Sequence, residues 1–263
     1  MVRHPRLLAA SVASVGLALS VACVPAASAA DLGSLEVTVD GGLGALIGGI
    51  APLRVVGDTT VAVRTASLDG GELTVVPGPD ADLPKAVHFP AYDASGLYPR
   101  AVLSLTPLLG DALNPGSDDF KYGAVFKVDA TSSGRTSDDG DNVFQRGRFA
   151  DDSIFKLQVD HGRASCLVKG SAGSVLVKTP TQVPDETWLT ATCARVGSRV
   201  TVTVTPYDGG STVSASESGD TGELSFDPAR PASVGGKLTR LGAVASSTDQ
   251  FNGAVARVFV DRI

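Results

Sequence analysis

The chain is short of aromatic residues, histidine, cysteine and glutamate, and each shortage narrows what it can be. Aromatics make up 5% of the 263 residues, with a single tryptophan. A core of this size must therefore be built mainly from Val, Leu and Ala, and a platform of stacked rings for sugars is not available. Beyond the first thirty residues only His88 and His161 remain. Neither has a setting that marks it as a catalytic base. The glutamates past that point are Glu36, Glu72, Glu186, Glu217 and Glu223, and none has an acidic neighbour two residues away. Strand-borne glycosidase sites of the Glu-x-Asp-x-Glu type send alternate carboxylates into one cleft, and that pattern is absent. So are a G-x-S-x-G elbow, an H-E-x-x-H helix and a P-loop. The sequence reads as a non-enzyme. Helical periodicity is nearly absent, as are internal repeats and long low-complexity tracts.

What is present begins with a leader. Arg3 and Arg6 precede an apolar run from Leu7 to Cys23, and small residues follow. Ala27-Ser28-Ala29 and Ser28-Ala29-Ala30 both satisfy the small-x-small cleavage rule, so residues 1–30 read as a secretory signal peptide cut near Ala29 or Ala30. Ser20 stands where a lipoprotein site built on Cys23 would carry Leu or another apolar residue. No other stretch approaches the apolar length needed to span a bilayer. Loss of Arg3 and Arg6, with no acid removed, moves the net charge from −6 to −8. Such a chain lacks the basic surface that nucleic-acid phosphates require.

Short runs rich in Val, Thr and Phe alternate with Gly, Pro, Asp and Ser clusters. This is the pattern of an all-β sandwich or barrel. Two hairpins follow in register. In FKLQVDHGRASCLV the His161-Gly162 turn sets Asp160 against Arg163 and Leu157 against Cys166, with Phe155, Leu157, Val159, Ala164, Cys166 and Val168 on one apolar face. In WLTATCARVGSRVTVTV the Gly197-Ser198 turn sets Cys193 against Val202. Leu189, Ala191, Cys193, Val200, Val202 and Val204 share a face, and Thr190, Thr192, Thr201, Thr203 and Thr205 occupy the other. In an oxidising compartment Cys166 and Cys193 are most simply a disulfide, the alternative being a free thiol with a histidine partner. Linking them would add roughly 3–4 kcal/mol and would pin both registers. Residues 31–84 give further short strands and a Gly-rich segment, GGLGALIGGIAPL, read as a buried connection of the same sandwich. The closing FNGAVARVFVDRI reads as a strand within a sheet.

Hard oxygen ligands gather at SDDGDN. Asp138, Asp139, Asp141 and Asn142 on a turn are a candidate calcium site, although the run lacks the spacing and closing Glu of an EF-hand; the blander reading is a polar hairpin turn. Asp118-Asp119, Asp151-Asp152 and Asp249 are other loop carboxylates, and Glu217, Asp220 and Glu223 fall in a solvated stretch. Trp188 reads as core packing rather than a stacking ring. Arg146, Arg148 and Arg163 read as solvated strand-end residues, with contact to an acidic glycan as the functional alternative.

The landmarks ALNPGSDDFKYGAVFKV, NVFQRGRF, FKLQVDHGRASCLVKG, ETWLTATCARVGSRVTVTV and DQFNGAVARVFVDRI occur in an order that resembles the laminin-G-like branch of the concanavalin A-like lectin/glucanase superfamily, over residues 85–263. The resemblance implies a secreted bacterial protein with a jelly-roll sandwich of two curved antiparallel sheets and a Cys166–Cys193 bond. It also implies a binding module for extracellular or cell-wall polysaccharide, or for protein. The sequence departs from the family pattern at Leu189, where a His is usual, at Pro206 to Gly209, and at Ala256, where an Asp is frequent. The alternatives to carbohydrate binding are a structural or protein-interaction module and a divergent glycoside hydrolase or lyase.

Overall fold

The computed structural model describes residues 34–39, 53–57, 60–94, 98–111, 113–132 and 141–263. The described residues all belong to one compact unit, Asp31–Ile263. The leader and most of the Gly-rich segment lie outside the described residues. Every named element is a strand, and all strand pairs are antiparallel. Strands β1 (Ser34–Val39), β2 (Leu53–Gly57), β4 (Thr74–Pro77), β5 (Lys85–His88), β7 (Phe120–Val128), β12 (Leu189–Val196), β13 (Arg199–Pro206), β14 (Val213–Ser218) and β16 (Gly253–Arg262) form a nine-stranded sheet. Its main path runs β14-β13-β12-β7-β16-β1-β2. The second sheet has seven strands, β3 (Thr60–Leu68), β6 (Arg100–Leu109), β8 (Asp141–Arg146), β9 (Ile154–Asp160), β10 (Arg163–Lys169), β11 (Ser174–Lys178) and β15 (Ala232–Val234). Their order is β11-β10-β9-β8-β15-β6-β3. Packed face to face, the two sheets make the jelly-roll sandwich that the alternation predicted.

Both derived hairpins have the expected register, with Leu157 opposite Cys166 and Cys193 opposite Val202. His161 and Gly162 take φ of 52° and 72°, the pair of positive angles that a two-residue type I′ turn requires. Because side chains alternate between faces, each cysteine points into the core, and the bond between them joins β10 of one sheet to β12 of the other. Their Cα atoms are 5.7 Å apart. Tyr122 crosses the same gap. Its ring lies 4.8 Å from that of Phe155, and its hydroxyl is 3.1 Å from the carbonyl oxygens of Lys156 and Leu167, to one of which it donates. Burial raises the phenol well above its usual pKa, so it is a fixed donor here.

Polar residues tie the ends of the sandwich. The buried Gln250 amide accepts from the Ala101 N–H at 2.9 Å and donates to the Ala101 carbonyl at 3.1 Å, docking the DQFNG turn onto β6. Buried Arg195 donates to the carbonyls of Gly222, Gly116 and Asp118 and lies over the Phe120 ring. Arg146 differs from its reading as a solvated strand end. It is fully buried on the core side of β8, donates to Asp111 Oδ1 at 2.6 Å and sits 4.8 Å from the centre of the Phe226 ring. The carboxylate and the π face replace the water it has lost. Trp188 also differs. It is half-buried outside the main core, against a smaller cluster of Leu83, Ala86, Val125, Ala254 and Ala256 on the nine-stranded sheet.

Candidate functional site

Register across the seven-stranded sheet lines up the residues that point away from the core. Arg64 on β3 faces Ser104 on β6, which faces Ser233 on β15, then Gln145 on β8, Lys156 on β9, Leu167 on β10 and Leu176 on β11. A second row runs Asn142, Gln158, Ser165 and Lys178. The face is thus a band of amides, hydroxyls and cations with an apolar end at Leu167 and Leu176. Asn142 Oδ1, Gln145 Oε1, Gln158 Oε1 and Ser165 Oγ are buried and lack a hydrogen-bond partner.

Two adjoining clefts open at one end of this band. The larger, about 350 Å³, is lined by Arg64, Ser104 and Thr106 on the strands and by Pro231, Arg240 and Leu241 on loops. The second, about 260 Å³, is lined by Asp151, Asp152, Ser225, Asp227, Arg230 and Arg240. Arg240 lines both. Local turns position these loops. Asp151 N–H donates to the Arg148 carbonyl at 2.8 Å, and Asp151 Oδ2 accepts from the Arg148 N–H at 2.8 Å, closing the β8–β9 turn. Asp227 Oδ1 accepts from the Ala229 N–H at 2.9 Å. Thr239 N–H donates to the Ala243 carbonyl at 2.7 Å, which presents Arg240 and Leu241 at a tip. Asp151 then binds the loops together, accepting from Arg230 and, at 3.2 Å, from Arg240. Burial, with the guanidiniums of Arg240, Arg148 and Arg146 around it, pulls Arg230 below the usual arginine range. Two apolar side chains near the clefts are exposed: Phe149 at 72%, with Lys169 Nζ 5.5 Å from its ring centre, and Leu241 at 96%.

Of the calcium candidates, Asp138 and Asp139 lie outside the described residues. Asp141 and Asn142 are not on a turn; they open β8 and are fully buried. Asn142 donates to Asp249 Oδ2 at 3.2 Å, and Lys237 Nζ reaches the same oxygen at 2.7 Å. Among the described residues no group of three or more His, Cys, Asp or Glu side chains is placed to hold a metal. The other carboxylates are dispersed. Asp119 Oδ1 accepts from the Gly197 N–H at 2.7 Å, and Glu217, Asp220 and Glu223 are exposed. Leu189 and Ala256, at two of the positions that depart from the family pattern, are buried. Sequence reasoning missed Arg64, Ser104, Thr106, Arg230 and Arg240. Alternation in TTVAVRTASL was a usable signal for Arg64, since Val61 and Val63 face the core. The loop arginines carried none.

Fold, disulfide and inter-sheet packing together define an antiparallel jelly-roll sandwich. Residues 136–263 match the family model described as Laminin G domain, a span that holds β8 to β16. No curated protein matches the chain closely enough to name a relative. Among solved structures, a protein of unknown function from Shewanella oneidensis MR-1 has a TM-score of 0.52 at 10% identity, over 88% of each chain. Botulinum neurotoxin type C has 0.51 at 8% identity over 80% of this chain, and the enzymatically active domain of bacteriophage CBA120 tailspike protein 2 has 0.51 at 11% over 79%. The chain spans 45% of that neurotoxin chain and 30% of the tailspike chain. At these identities the likeness is one of fold.

Proposed function

We propose that this chain is a secreted, non-catalytic module that binds an extracellular polysaccharide at the paired clefts of the seven-stranded sheet. The observation that carries the reading is the meeting of the two clefts at Arg240, with the hydroxyl residues Ser104, Thr106 and Ser225 in their linings. Sugar hydroxyls both donate and accept, and they suit such a surface. Exposed Leu241 in the larger cleft's lining offers an apolar contact for a pyranose ring. The laminin G match, and the dependence of botulinum neurotoxin type C on two ganglioside molecules for cell entry, support a binding role for a sandwich of this kind. Against catalysis, Asp151 in the second cleft is held by two arginines and a backbone N–H, an arrangement that fixes a carboxylate rather than freeing it to shuttle protons. Affinity electrophoresis of the purified chain through gels containing plant, bacterial and animal polysaccharides tests the reading. Retardation by at least one polysaccharide, weakened by Arg240→Gln and without release of reducing ends, is expected. Free migration through every gel would remove it.

A further inference from the structure

We infer that the larger cleft takes the carboxylate of a uronate unit, so that the polysaccharide recognised is an acidic one; this rests on the glycan reading above. The cleft is lined by two guanidiniums, Arg64 from β3 and Arg240 from the loop tip, and by the hydroxyl residues Ser104 and Thr106, with no carboxylate in its lining. In a chain of net charge −6 a cavity with only cationic and neutral walls is a selective feature. Arg64 is exposed and makes no ion pair among the described residues. Arg240 gives one nitrogen to Asp151 and keeps its other donors, with its side chain 71% exposed. Guanidinium is planar and presents paired N–H donors that match the two oxygens of a carboxylate, and the neighbouring hydroxyls suit the hydroxyls of the same ring.

The chemistry favours a carboxylated sugar over a densely sulfated one. Asp151, Asp152 and Asp227 line the adjoining cleft. A polymer with a charge at every position would set anions against these carboxylates, whereas one carboxylate at Arg64 and Arg240 followed by hydroxyls would not. Arg64, Ser104 and Thr106 also come from strands outside the span that matches the laminin G model. Pro231, Arg240 and Leu241 come from inside that span, so the cleft is built from both parts of the chain.

Isothermal titration with oligosaccharides that carry one galacturonate, glucuronate or mannuronate unit among neutral sugars, each beside its carboxyl-reduced counterpart, tests the assignment. At least one uronate oligomer is expected to bind about tenfold or more tightly than its reduced form. Arg64→Gln should abolish that difference, Arg64→Lys should restore it only in part, and Arg163→Gln, at the exposed start of β10 and outside both cleft linings, should leave it intact. Both arginines are exposed, so the variants should fold as the parent does, with unchanged melting temperature. Equal binding of acidic and reduced oligomers, insensitive to Arg64, would overturn the uronate assignment and leave the glycan reading standing. Tighter binding of heparin or dextran sulfate than of every uronate oligomer would overturn it too. Binding of no oligosaccharide at all would remove both.

Discussion

The two outward sheet faces are both polar, yet they differ in how their polar groups are satisfied. On the nine-stranded sheet the hydroxyls pair with each other across strands: Thr201 with Ser216 at 2.8 Å, Thr203 with Ser214 at 3.2 Å and Thr205 with Thr212 at 3.0 Å. On the seven-stranded sheet, four buried oxygens have no partner and two clefts open at the band's end. The threonine hydroxyls are thus already paired, whereas the clefts of the other sheet present exposed guanidinium and hydroxyl groups to a ligand. Small, β-branched threonines make the first kind of face, and longer amides and guanidiniums make the second.

The strongest way to break this comparison is to uncouple the sheets. Replacing Cys166 and Cys193 together by Ala removes a cross-link over 27 residues and should cost roughly 3–4 kcal/mol in urea unfolding. Reduction of the parent protein should give a similar loss. The faces themselves are sharpened by a pair of substitutions with opposite signs. Gln158→Leu removes a buried, unpartnered oxygen and should stabilise by about 1 kcal/mol. Thr203→Val opens one rung of the hydroxyl ladder; it should destabilise by at most about 1 kcal/mol and leave polysaccharide retardation unchanged. A destabilising Gln158→Leu would mean that this oxygen is satisfied in the folded protein.

The smallest effect is a pH dependence on the nine-stranded side. His88 Nε2 lies 3.0 Å from Asp129 Oδ1, and that hydrogen bond, opposed by burial, raises the histidine above its ordinary value. A raised folded pKa stabilises fully below the unfolded value near 6.5 and loses that stabilisation as pH rises through the folded pKa. Stability should therefore fall slightly, by less than about 1 kcal/mol, between about pH 6 and pH 8. Asp129→Asn should flatten the slope; an unchanged slope would assign it elsewhere.

Legibility followed the same division. Both hairpins of the disulfide pair were readable in register, because a two-residue turn and strict alternation fix every partner. The Thr face was readable for the same reason. β15 was not: three residues, Ala232–Val234, between Pro231 and Gly235 carry no strand signal of their own and become a central strand only because β6 and β8 flank them. Arg146 was misread because a strand-end arginine shows nothing in sequence of the distant Asp111 and Phe226 that bury it. The clefts fall in this second class. Arg64 and Arg240 meet through topology, and Asp151 holds the loop tip in place across the gap.

The central claim is that ligand binds the open face and not the closed one. Backbone amide NMR of the purified chain, titrated with oligosaccharides of whichever polysaccharide retards it, tests this most directly. The account predicts shifts at Arg64, Ser104, Asp151, Arg230 and Arg240, with Thr190 to Thr205 unmoved. Shifts confined to the threonine face would contradict it.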